Sequence, residues 1–157
     1  MSPDERLVHR LAREIESELS DLERLSSELE TTPRTNDSVS LRARGSILHD
    51  FFTGAERIFI RIADELDGGT PKGDHWHTQL LRNMSLDLPE IRPAVITHKL
   101  MASLGEYLRF RHVFRNNYGF VLEPERIKPL EQNMPSVLEE LGLQLRDFLS
   151  WLRGGEQ

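Results

Sequence analysis

Apolar residues recur every three or four positions through most of this chain, with charged and polar residues filling the intervals. That spacing matches the 3.6-residue turn of an α-helix rather than the two-residue alternation of a strand. Leu7, Leu11, Ile15, Leu19, Leu22, Leu25 and Leu29 form the first such stripe, with Pro3 where a first helical turn accepts it. The stripe is narrow and flanked by Glu and Arg, so two uses are open: packing as the first helix of a bundle, or pairing with a second chain. The segment 31–37 has no apolar residue and contains Pro33, which makes it a loop with no hydrophobic anchor.

A second helix is expected from a cap at Asp37 or Ser38 to about Leu66, with Ile47, Leu48, Phe51, Ala55, Ile58, Phe59, Ile62 and Leu66 on one face. Gly68, Gly69 and Pro71 stop it. Asp74 is placed to cap a short helix that carries Trp76, Leu80, Leu81 and Met84. Thr97 is placed to cap a long one from His98 to Tyr118, ended by Gly119. The last helix opens near Glu123 and Pro124, and Pro135 inside its apolar pattern predicts a kink or break. No alternating strand pattern and no internal repeat is visible. The fold class is therefore all-α: a bundle of four long helices plus a short one.

Composition narrows the chemistry. The 157 residues fit one domain, and 26 acids against 20 bases give a net charge of −6. That balance argues against coating nucleic acid by bulk charge and leaves room for a local basic site. With no cysteine there is no disulfide, thiolate zinc site or cysteine nucleophile. No apolar run approaches the about 18 residues of a membrane span, and the acidic start lacks a signal-peptide core, so a cytoplasmic protein is expected. Phosphate loops, nucleophile elbows and helical zinc-protease motifs are not found, and no cofactor is implied. On a helix His75 and His77 point roughly 200° apart and cannot share a metal, whereas on an extended segment they could; no metal ligand set is assigned.

The informative stretch is Arg109-Phe110-Arg111-His112-Val113-Phe114-Arg115-Asn116-Asn117-Tyr118. At about 100° per residue, Arg111, Arg115 and Tyr118 fall within about 60° of one another, on the face of Leu100, Leu104, Tyr107 and Leu108. The core stripe thus turns cationic at its end. His112 and Asn116 adjoin it one turn apart. Two readings of the arginines compete. They pair with acids such as Glu56 or Asp50, or they form a phosphate site, for which guanidinium forks are suited. Glu56, Arg57 and Arg61 lie off the apolar stripe of the second helix and read as surface residues, with Glu56 also the acid best suited to orient Arg111.

Arg111-x4-Asn116-x-Tyr118 resembles the Arg-x4-His-x-Tyr motif of HepT-type proteins of the HEPN superfamily. Leu48-His49-Asp50-Phe51-Phe52-Thr53-Gly54-Ala55-Glu56-Arg57-Ile58-Phe59, Asp67-Gly68-Gly69, the run from Gly73 to Leu81, Arg92-Pro93 and Phe110 to Arg115 resemble one HepT-like subgroup over residues 40 to 152. On this reading residues 1–30 are an amphipathic helix, 31–37 a loop and 38–153 the HepT-like core of a single domain. The resemblance implies a HEPN-like bundle, a homodimer with two copies of 109–118 facing across a two-fold axis, and a toxin paired with a nucleotidyltransferase-type antitoxin. It also implies metal-independent endoribonuclease activity on RNA through 2′-hydroxyl attack.

Carried over by position, the resemblance makes Arg111 the phosphate ligand and Tyr118 the acceptor of adenylylation by the antitoxin, and the phosphate reading of the residues themselves adds Arg115 beside Arg111. Position 116 departs from the motif, because an amide is not a general acid or base near neutral pH. Either His112 takes over proton transfer with Asn116 assisting, or the protein is a non-catalytic dimeric module that binds a nucleotidyltransferase or other partner.

Overall fold

The computed structural model describes residues 3–116 and 122–154, and all the regular structure among them is helical. Five helices follow in order: α1 (Pro3–Thr31), α2 (Ser38–Leu66), α3 (Trp76–Met84), α4 (His98–Asn116) and α5 (Pro124–Leu152). This is the expected count of four long helices and a short one. Tyr118 and Gly119 lie outside the described residues, so the expected end of α4 is followed only to Asn116.

The central element is α2, which touches each of the other four helices. Its sequence explains the position. Leu48, Phe51, Phe52, Ala55, Ile58, Phe59 and Ile62 are buried along one face about 120° wide, and burial of Gly45, Gly54, Glu56 and Ala63 on its flanks carries the covered surface further round the helix. Each large apolar side chain removed from water contributes on the order of 1.5–3 kcal/mol, so a helix this apolar is stable only when surrounded. Asp37 caps it, accepting from the Ser40 N–H at 3.1 Å. Gly68 and Gly69 follow its last turn with positive φ, a region open to glycine.

The leucine stripe of α1 is spent inside the chain. Leu11, Ile15, Leu19, Leu22 and Leu29 are at most 3% exposed, and α1 lies against α2 and α5. The approach to α2 is close at Gly54, where a Cβ would stand 2.5 Å from Leu22 Cδ2. Of the two uses open to this stripe, packing within the bundle is the one observed.

One sequence expectation needs correction and another is narrowed. Asp74 does not cap α3; the cap position is His75, and its side chain makes no capping hydrogen bond. Of the kink or break expected at Pro135, the break does not occur: α5 runs through both Pro129 and Pro135. Burial of Ile127, Met134, Val137, Leu138 and Leu141 on its inner face outweighs the hydrogen bonds that two prolines remove. The loop at 31–37, which has no apolar residue, is held by polar contacts. The buried Arg44 of α2 donates through Nη1 to the carbonyls of Pro33 and Thr35, both at 2.7 Å, and through Nε to Glu131 of α5 at 2.5 Å. A polar clamp does there what apolar residues do elsewhere.

The connection between α3 and α4 is held in the same way. Arg92, whose side chain is fully buried, meets both carboxylate oxygens of Asp67 at 2.8 Å and donates to the carbonyls of Asn83, Leu86 and Pro93. Thr97 caps α4 as expected, accepting from the Leu100 N–H at 3.1 Å. These anchors fix the start of α4 and thereby the direction in which its far end projects.

Candidate functional site

Arg111 sits where the core stripe of α4 ends. Its side chain is 5% exposed and crosses to α2, where Nη1 donates to Glu56 Oε1 at 3.1 Å and to Thr53 Oγ1 at 3.2 Å. The guanidinium also lies over the Phe52 ring, 4.9 Å from its centroid, a favourable cation–π placement. Glu56 is equally buried, which corrects its reading as a surface residue and supports its reading as the acid that orients Arg111. Arg57 and Arg61 do behave as surface residues, pairing with Glu18 and Glu14 of α1.

A third group completes the cluster. His77, in the first turn of α3, places Nδ1 2.7 Å from Glu56 Oε2 and 2.8 Å from Arg111 Nη2. Trp76 stacks on the same imidazole at 3.7 Å between ring centroids. Nδ1 has room for one of its two neighbours at a time. Protonated, it donates to Glu56; bare, it accepts from Arg111. From the sequence His77 can either hydrogen-bond across the bundle or line the cleft, and its contacts with α2 and α4 realise the first. Its signal was the pairing of an off-stripe acid in α2 with an inward arginine in α4, which leaves a half-charged pocket for a third polar group.

Beyond Arg111 the helix surfaces. Arg115 lies only about 40° round from Arg111, yet it is exposed, and it has no ion-pair partner among the described residues. The expectation of two inward guanidinium groups therefore holds for Arg111 alone. Burial ends there because residues 111 to 116 run out along the edge of the bundle, with His112, Arg115 and Asn116 all exposed. His112 and Asn116 do meet, as their spacing predicts. Asn116 Nδ2 donates to the His112 carbonyl at 2.8 Å and stands 3.2 Å from His112 Nδ1. An amide N–H toward Nδ1 makes that atom an acceptor, so the neutral ring keeps its proton on Nε2.

These groups share a side of α4. Met101 marks the face turned to α3, since its sulfur accepts from Ser85 at the end of that helix. Eleven residues on, at about 100° each, His112 returns to within about 20° of that face. The start of α3, with His77, and the end of α4, with Arg111, His112 and Arg115, therefore border one another. A separate groove of about 690 Å³ lies on the opposite flank of α4, between Phe110, Val113, Leu122, Ile127 and Leu130. Tyr118, the expected modification acceptor, lies outside the described residues.

The arrangement combines a buried cation, a buried carboxylate and a part-exposed imidazole with an exposed cation and a second imidazole. It can hold an anion at its rim and exchange protons from its wall. Among the described residues, no group of three or more His, Asp or Glu side chains is placed to hold a metal, and no helix is long and apolar enough to cross a membrane.

Residues 43–152 match the family model described as HepT-like protein, which spans most of the chain and includes α2 from its second turn through to the end of α5. No curated protein and no solved structure gives a significant match.

Proposed function

Starting from the fact that the chain belongs to the HepT-like family, we propose that it is the toxin of a toxin–antitoxin module and a metal-independent endoribonuclease. Its site is the border between α3 and α4. The observation that carries this reading is the ordered polar set at that border: Arg111 locked to Glu56 and His77, with exposed His112 and Arg115 beside it.

RNA presents a phosphate to Arg115, whose exposed guanidinium can form a two-pronged contact. His112 Nε2–H donates to a phosphate oxygen. Arg111, buried and already paired, supplies positive potential near the scissile phosphate, and charge developing in the transition state is stabilised by such preorganised groups. The 2′-hydroxyl attacks its own phosphate, leaving a 2′,3′-cyclic phosphate and a 5′-hydroxyl. The antitoxin is a nucleotidyltransferase-type protein that adenylylates Tyr118, and the active form is a homodimer in which two copies of 109–118 share one cleft. No cofactor enters, and the protein works in the cytoplasm.

Purified protein incubated with RNA in EDTA tests the reading. Cleavage with cyclic-phosphate ends is expected, reduced at least tenfold in Arg115→Ala and in His112→Ala. Both sites are exposed, so neither change threatens the fold. Intact RNA at micromolar protein would overturn it.

One pair of observations favours a second reading, a non-catalytic dimeric module for a nucleotidyltransferase or other partner. Asn116 replaces a proton-transferring residue with an amide, and Arg111 is already engaged within the chain. Tight binding of that partner with no RNA cleavage is its signature.

A further inference from the structure

We infer that His77, mounted on Glu56, is the general base of this site and takes the role that the amide at position 116 cannot fill. The inference rests on the ribonuclease reading above and adds the residue that moves the proton.

Four observations converge on His77. Its Nδ1 is within hydrogen-bond distance of a carboxylate that is itself buried and held by an arginine. A carboxylate on one ring nitrogen fixes the orientation of the ring and stabilises the charge that arrives when the other nitrogen takes a proton. Ring geometry turns Nε2 away from Glu56, and the side chain is 31% exposed. Nε2 has no hydrogen-bond partner among the described residues, so it is available to a ligand. Finally, Trp76 stacked on the ring limits its rotation. His112 has no such mount: its Nδ1 faces an amide, and its ring is on the surface.

The two neighbours of Nδ1 make the mount suited to proton exchange. Glu56 on α2 accepts from Nδ1–H, and Arg111 on α4 donates to bare Nδ1; these are the charged groups that face it from the packed helices. With Nδ1–H on Glu56, Nε2 carries the lone pair. It removes the proton of the ribose 2′-hydroxyl as the 2′-oxygen bonds to phosphorus. The bond from phosphorus to the 5′-oxygen breaks, its electron pair stays on that oxygen, and water supplies the proton that makes the 5′-hydroxyl. The imidazolium then returns its proton to solvent. General base assistance of this type contributes roughly 10²–10⁴-fold.

The test is single-substrate cleavage of an RNA oligonucleotide in EDTA across pH, with wild type, His77→Gln, His77→Gly and His49→Gln. His49 is a comparable part-exposed histidine paired with Asp50 and set against the Phe114 ring, and its variant should match wild type. His77→Gln is expected to lower kcat at least a hundredfold with KM within threefold, and to lose the acid limb of the pH profile. Free imidazole is expected to restore His77→Gly at least tenfold, which no structural role would allow. Wild-type cleavage that persists within threefold in His77→Gln, or a loss with an unchanged pH profile and no rescue, overturns the inference and leaves the ribonuclease reading standing. Absence of cleavage by wild type itself overturns both.

Discussion

Arg111 and Glu56 form a buried ion pair between α4 and α2, 3.1 Å from Nη1 to Oε1, with both side chains under 10% exposed. Such a pair is costly to break and not costly to replace. Removing one partner strands a charge in the core, whereas replacing both with apolar residues removes two desolvation penalties together. Glu56→Ala is therefore expected to lower unfolding free energy by about 3–5 kcal/mol in urea titration. The double variant Glu56→Leu with Arg111→Met should recover most of that loss and still cleave no RNA. A double variant as unstable as the single one would mean that Thr53, His77 and the Phe52 ring, rather than the charge pair, hold this region together.

Asp37 illustrates a different electrostatic device. The Thr35 hydroxyl donates to its carboxylate, and the Ser40 N–H does so as well, so its pKa falls from 3.8 to about 2. A depressed carboxyl contributes stability above its unfolded value, and that contribution is lost as pH falls from about 4 through about 2. Direct observation of the Asp37 carboxyl by NMR should give a midpoint near 2. Thr35→Val should move that midpoint up toward 3.8, since the hydroxyl is the largest cause of the shift. A midpoint that does not respond would assign the effect to the Ser40 N–H and the end of α2 instead.

What the sequence revealed and what it withheld divide along a physical line. The helices were legible because burial of Leu11, Phe51, Leu104 or Leu145 imposes a period that anyone can read along the chain. Capping by Asp37 and Thr97 was legible because it acts over three residues. The clamps were not. Arg44 reaches Glu131 across 87 residues and Arg92 reaches Asp67 across 25, and no local pattern announces such a partner. The candidate site was half visible for the same reason. The meeting of His112 with Asn116 is one turn of one helix. The meeting of Arg111 with His77 requires knowing that α3 starts beside the end of α4. Arg115 was misplaced because periodicity gives direction around a helix and does not say where neighbouring helices stop covering it.

Tyr107 offers a test of the contact between α4 and α5. Its buried hydroxyl donates to the Leu130 carbonyl at 2.7 Å, and burial pushes its pKa well above the ordinary phenol value. A group whose folded pKa is raised contributes stability below its unfolded value, near 10, and loses it as pH rises beyond. Tyr107→Phe should cost about 0.5–1.5 kcal/mol at pH 7, the net worth of one hydrogen bond. The stability of wild type should fall more steeply than that of Tyr107→Phe above pH 10. Parallel alkaline slopes for the two proteins would mean that the hydroxyl ionises freely in the folded state.

Asn116 is the position at which this chain departs from the motif it resembles, and it invites the reverse substitution. The amide sits on the surface, bonded to the carbonyl and ring of His112. Asn116→His places an imidazole one turn from His112, on the side of α4 that borders α3, with little strain expected at an exposed site. In the ribonuclease reading the leaving 5′-oxygen lacks a dedicated acid, because water serves it. An added imidazolium there should raise kcat by about tenfold or more, within the range for general acid assistance, and should add a basic limb to the pH profile. The gain should survive in Arg115→Ala as a proportional increase on a weaker substrate complex. It should shrink sharply in His77→Gln, where the base that starts the reaction is missing. An Asn116→His protein with wild-type rate would mean that proton transfer in this cleft does not pass through position 116, and that the motif's second residue was dispensable once His77 and Glu56 were in place.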